Sequence, residues 1–131
     1  MRRIFIVVLA AVSLFAACGG DPEPVTFGEG EIPESVPDDF PIPGGAVIGS
    51  TMVDRINNRT EFAIVVRGDV ESLERFYTVE LVGSGYIVER SEGGGIGIWE
   101  ISFSKSDLLG TIAMTSPAAD TSQAVVSINR S

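Results

Sequence analysis

One thiol and no imidazole limit the chemistry open to this chain: its 131 residues hold a single cysteine, Cys18, and no histidine. Ser-His-Asp and Cys-His catalysis, most zinc sites and haem ligation by histidine therefore have no residues to run on. Ser-Lys, tyrosine and carboxylate chemistries keep theirs. The nearest pattern is Ser102-Phe103-Ser104-Lys105, a Ser-x-x-Lys spacing in which lysine activates a serine nucleophile. That pair works on a helix, where i and i+3 adjoin; in the strand expected here, an odd offset sends the two side chains to opposite faces. The companion Ser-Asp-Asn and Lys-Thr-Gly motifs are absent. Glu89 and Glu100 fall in neighbouring expected strands and could face one another like the two carboxylates of a glycosidase, although solvated acids on a sheet read the same way. Gly93-Gly94-Gly95-Ile96-Gly97 fits neither Gly-x-Gly-x-x-Gly nor the Walker loop and reads as a hairpin. No catalytic residue, cofactor site or metal ligand is expected.

The thiol stands at an informative place. Arg2 and Arg3 form a basic start, residues 4–15 are apolar, and Ala16-Ala17 precede Cys18. The apolar run is shorter than the roughly 20 residues a membrane span needs. This stretch resembles the signal of bacterial lipoproteins, with Phe15 where Leu is more usual. The resemblance implies that residues 1–17 are cleaved and that Cys18 becomes a diacylglyceryl-modified N-terminus. Two acyl chains hold a protein stably where one does so only reversibly. The expected location is the extracytoplasmic side of a cell membrane, periplasmic or cell-surface. Arg2-Arg3-Ile4-Phe5-Ile6 also brushes the twin-arginine export pattern, but the short basic start and strongly apolar run favour Sec-type export.

Residues 18–39 carry Pro22, Pro24, Pro33 and Pro37, with Gly19, Gly20, Gly28 and Gly30, and no hydrophobic period. Asp21, Glu23, Glu29, Glu31, Glu34, Asp38 and Asp39 stand there without a basic residue. The segment reads as a disordered acidic tether, a spacer with a reach of roughly 25 Å if coil-like and roughly 65 Å if fully extended. No Asp-x-Asp-x-Asp-Gly loop makes it a cation site. The overall net charge of -9 and the scattered arginines disfavour nucleic acid as a partner.

Residues 40–131 read as a single α+β domain whose core must do without disulfides. The runs 46–53 and 60–67 form an expected hairpin about the Asn57-Asn58 pair. Asp69 is placed to cap a helix whose Val70, Leu73, Phe76, Tyr77 and Leu81 make one apolar stripe, with Gly83 and Gly85 ending it. Further strands are expected over 86–90, 96–104, 108–115 and 123–129. In the longest, Trp99, Ile101 and Phe103 alternate with polar residues. The order ββαββββ gives a mostly antiparallel sheet of about six strands with one helix on one face. Such a sheet spans roughly 29 Å and a helix covers only about 10 to 12 Å. Val47, Ala63, Val65, Thr111, Ala113 and Val125, assigned to the other face, are small and uncharged and define a docking surface.

The stretches Asp38-Asp39-Phe40-Pro41-Ile42-Pro43-Gly44-Gly45-Ala46 and Leu73-Glu74-Arg75-Phe76-Tyr77-Thr78-Val79-Glu80-Leu81, closing on Gly85-Tyr86, resemble a loose group of uncharacterised envelope lipoprotein domains. The resemblance implies this architecture and brings no active residues. The expectation is a lipid-anchored, non-catalytic binding or adaptor module for an envelope protein or a cell-wall component. The alternative is a binder of a small apolar or lipid-like ligand between helix and sheet, and a carboxylate-based enzyme is the third reading.

Overall fold

The structure is a computed structural model and describes residues 23–131. The leader, the lipidation position Cys18 and the start of the acidic segment lie outside the described residues. Strands β1 (Val25–Glu29), β2 (Val47–Asp54) and β3 (Arg59–Arg67) precede helix α1 (Val70–Gly83). Strands β4 (Ile87–Gly95), β5 (Ile98–Lys105), β6 (Leu108–Ala118) and β7 (Thr121–Arg130) follow it. All seven strands belong to one antiparallel sheet of spatial order β1-β2-β3-β7-β6-β5-β4.

Helix α1 forms where the sequence placed it. Asp69 is extended (φ -90°, ψ 164°), and its carboxylate accepts the Ser72 N–H at 2.8 Å, satisfying one of the donors a helix start leaves free. Val70, Leu73, Tyr77 and Leu81 are buried, and Phe76 packs half-buried beside them. Gly85 takes φ +88° while the Tyr86 N–H returns to the Leu81 carbonyl at 2.9 Å, so the chain turns off the helix toward the far edge of the sheet. The β4–β7 meander then brings the chain back until β7 pairs with β3 from Arg59↔Asn129 to Arg67↔Thr121. This one pairing joins the N-terminal and C-terminal halves of the sheet. The β2–β3 hairpin is as expected: Asp54 accepts the Ile56 and Asn57 amides at 3.0 and 3.2 Å, and Asn58 adopts φ +52°.

Two expectations are corrected. The sheet has seven strands, and the additional one, β1, lies in the segment read as tether. Val25-Thr26-Phe27 is a β-forming triplet, too short to show a period against its acidic, Pro-flanked surroundings. Pairing with β2 along Val25↔Asp54 to Glu29↔Ser50 decides its conformation. The chain that follows also packs on the domain: Val36 and Phe40 enter the core, and the Ser35 and Thr60 hydroxyls bond at 2.6 Å. The triple glycine is likewise not a hairpin loop. It ends β4, and the turn falls at Ile96-Gly97. A Cβ on Gly93 would stand 2.9 Å from the Trp99 ring, so glycine there makes room for the indole, whose Nε1–H donates to the Ser91 hydroxyl at 2.6 Å.

The core fills the space between α1 and one face of the sheet. Phe62, Ile64, Ile101, Phe103, Ile112, Met114, Val126 and Ile128 from the strands meet Tyr77 and Leu81, and all are essentially inaccessible to solvent. The Tyr77 hydroxyl has no hydrogen-bond partner among the described residues, and burial pushes its ionisation well above that of an ordinary tyrosine.

Candidate docking face and adjoining grooves

Strand alternation sends every second residue to the face that α1 leaves uncovered. The six expected docking residues all stand on that face. Ala63 pairs with Val125, which pairs in turn with Ala113, so three small side chains lie side by side across β3, β7 and β6. Val47 pairs with Val65 in the next row, and Thr111 pairs with Ser127 in the row on the other side. Val47 is 65% exposed, Thr111 and Ala113 are exposed, and Ala63, Val65 and Val125 are half-buried by their neighbours. Glu61, paired with Ser127, and Glu100, paired with Ala113, mark where charge returns. The face is a shallow surface of methyl and hydroxyl groups with an acidic margin.

Beside Thr111 the same face dips into a groove of about 330 Å³, lined by Glu89, Ser102, Leu109, Thr111, Ser127 and Asn129. A larger groove of about 610 Å³ lies at the opposite wing. There Thr26, Thr51, Val53, Thr60 and Ile128 form the floor and the chain from Glu31 to Ser35 forms a wall. Sequence reasoning missed this second groove, because it exists only once β1 joins the sheet. No residue of α1 lines either groove.

The remaining chemistry-bearing residues are apart. Ser102 pairs with Thr111 on the uncovered face, whereas Lys105 reaches to the helix side, so the Ser-x-x-Lys pair is split as the strand offset requires. Glu89 does not face Glu100. A bulge between Val88 and Arg90 displaces it from the pairing, its carboxylate accepts the Ser104 hydroxyl at 2.8 Å, and Glu100 stands opposite Glu92 instead. Among the described residues no group of three or more His, Cys, Asp or Glu side chains is placed to hold a metal ion. No helix among them is long and apolar enough to cross a membrane.

Lys105 has a structural position. Its ammonium donates to the Ser84 carbonyl at the helix end at 2.9 Å, pairs with the Asp39 carboxylate and lies 4.7 Å from the centre of the Tyr86 ring. The Tyr86 hydroxyl donates to the other Asp39 oxygen at 2.8 Å. Together these bonds tie the segment before β2 to the end of α1 and to β5. The bond from Lys105, with that from Tyr86 second, holds the Asp39 carboxyl below the usual aspartate range. A depressed carboxyl contributes stability above its unfolded value near 3.9 and loses it as pH falls through the folded value. Asp39→Asn is therefore expected to lower Tm by about 2 to 5 °C at pH 6, the scale of a half-exposed pair. The gap from the parent should narrow in a melt at about pH 3, below the unfolded value near 3.9 and toward the depressed folded one. Parallel calorimetric melts at the two pH values check this, and a gap unchanged with pH would show that the ionised pair contributes nothing.

Comparison with known proteins finds no matching family model, no matching curated protein and no matching solved structure.

Proposed function

We propose that this chain is a lipid-anchored protein of the cell envelope, held on the extracytoplasmic side of a membrane through Cys18. Its domain is a non-catalytic binding or adaptor module for another envelope protein or a cell-wall component. The observation that carries the reading is the uncovered sheet face. Ala63, Val65, Ala113 and Val125 sit in paired rows of small apolar groups, backed by a rigid core and free of charge at their centre. Such a surface gives a partner contact area at little ordering cost, since its side chains have few rotamers to lose. The alternative, a small apolar or lipid-like ligand, finds its support in the 610 Å³ groove beside β1 rather than in the filled helix–sheet interface. Native mass spectrometry of protein extracted from membranes distinguishes that reading by a co-purifying small molecule.

The test of the docking face is Val65→Asp in the full chain, with in-cell crosslinking and identification of bound species. Val65 is half-buried on the surface side of β3, so a carboxylate there can stay solvated while the core is untouched. At unchanged circular dichroism and Tm, the yield of the crosslinked species is expected to fall at least about tenfold, the scale of an unpaired charge desolvated in an interface. Undiminished crosslinking at preserved fold would remove the docking face from the proposal.

A further inference from the structure

The strand β1 changes how far the domain can stand from its anchor. A tether running to Asp39 would let the domain range freely above a membrane, but the backbone is already fixed at Glu23. The Arg55 guanidinium donates to the Glu23 carbonyl at 2.9 Å and to the Thr26 hydroxyl at 2.6 Å, and the Arg55 N–H donates to the Pro24 carbonyl at 2.7 Å. From Cys18 to Glu23 is five residue steps, which span at most about 18 Å even when fully extended. Strands of up to 11 residues make the sheet roughly 35 Å long. The tether is therefore shorter than the domain it holds, and it is attached at one end of it.

That end is defined by a single row across the sheet: Val25↔Asp54↔Arg59↔Asn129↔Leu109↔Ser104↔Ile87. Beyond the row project the β2–β3 turn, with Ile56 71% exposed, and the β5–β6 turn at Ser106-Asp107. Leu109 and Ile87 in the row are also well exposed. Arg55, Arg59, Lys105 and Arg130 stand at this end among the acids Asp39, Asp54, Glu89 and Asp107. Four of the seven basic residues left when Arg2 and Arg3 are set aside gather here. A lipid surface finds apolar and cationic side chains on this end.

We infer that the end of the sheet carrying the Asp54–Arg59 turn rests on the lipid surface, so that the strands stand upright from the membrane and the uncovered face looks sideways along it. The inference rests on lipidation of Cys18 and extends it to an orientation. A partner is then met laterally, within the layer just above the headgroups, rather than by a domain searching at the end of a long leash. Ile56 is the contact at the tip, and the β4–β5 turn at Ile96, equally apolar and fully exposed, is the far end.

The experiment uses the full lipidated protein in vesicles of phosphatidylethanolamine and phosphatidylglycerol at 3:1. A nitroxide is attached at Ile56→Cys, at Asn57→Cys or at Ile96→Cys, the native thiol being occupied by lipid. Mass spectrometry of the mature N-terminus establishes the diacylglyceryl group first. Labels at 56 and 57 should be several-fold less accessible to a water-soluble nickel relaxant than the label at 96, despite the matching hydrophobicity of Ile56 and Ile96. Equal aqueous access at both ends of a lipidated protein overturns the orientation and leaves the anchor standing. An N-terminus without lipid, in protein that fractionates away from membranes, overturns the anchor and the orientation with it.

Discussion

Phe40→Ala is expected to lower the unfolding free energy by about 4 kcal/mol, in the middle of the range for aromatic truncation in a core. Phe40 enters from an irregular segment, yet its ring lies 5.7 to 6.0 Å from those of Phe62, Tyr77, Tyr86 and Phe103, two of the four contacts being edge-on. Its side chain is 5% exposed. It joins a ring from β3, one from the helix, one from the helix exit and one from β5. Domains of this size have only about 5 to 15 kcal/mol in total. A loss of this size takes roughly 20 °C from Tm. Thermal and urea melts followed by far-ultraviolet circular dichroism measure it. A loss below about 1 kcal/mol would mean that the segment before β2 lies on the domain without completing its core.

How much of this could be read from residues alone varies along the chain for physical reasons. Asp69 and the stripe from Val70 to Leu81 announced the helix because a cap and a 3.6-residue period are local properties. The placement of Ala63 and Val65 on one face followed from a period of two, and the register sets them opposite Val125 and Val47 on that side. β1 was hidden because its five residues show no period and its partner lies 20 to 30 residues ahead. Gly93 read as a turn residue because its role, space for the Trp99 indole, depends on the neighbouring strand. Lys105 was legible as a charge beside a serine, but its actual neighbours, Asp39 before β2 and Ser84 and Tyr86 at the helix exit, come from two distant stretches. The 610 Å³ groove inherits its invisibility from β1.

These two halves of the molecule divide its labour. The helix side is closed by large interlocking side chains and holds the sheet against α1. The uncovered side carries small side chains, and their positions follow from the rigidity beneath. A change in the core should therefore reach the docking face through the backbone that the two sides share.

Gly110→Ala tests that coupling, and its sign is not the one that strand propensity gives. Glycine inside a strand is costly by roughly 0.5 to 1 kcal/mol relative to alanine, so the exchange should stabilise if nothing else intervened. Gly110, however, pairs with Phe103, whose ring lies across it: an added Cβ would stand 2.2 Å from Cζ, 2.6 Å from Cε2 and 2.8 Å from Cε1. The ring is 1% exposed and is held by Phe40 and Tyr86 at 5.7 Å each, so it has no free rotamer to retreat into. A net destabilisation of about 3 kcal/mol is expected, overpacking outweighing propensity. Phe103→Leu, which removes the obstructing atoms, should be harmful in the parent and much less so beside Gly110→Ala. The coupling in a double-mutant cycle should be about 1 kcal/mol or more. Additive effects would show that ring and backbone do not compete for this space. On the other surface of the same strand, Leu109 and Thr111 flank Gly110 and line the 330 Å³ groove. If the proposed docking reading holds, a Gly110→Ala variant that still folds should also lower the crosslinking yield, though its substituted atom points into the core.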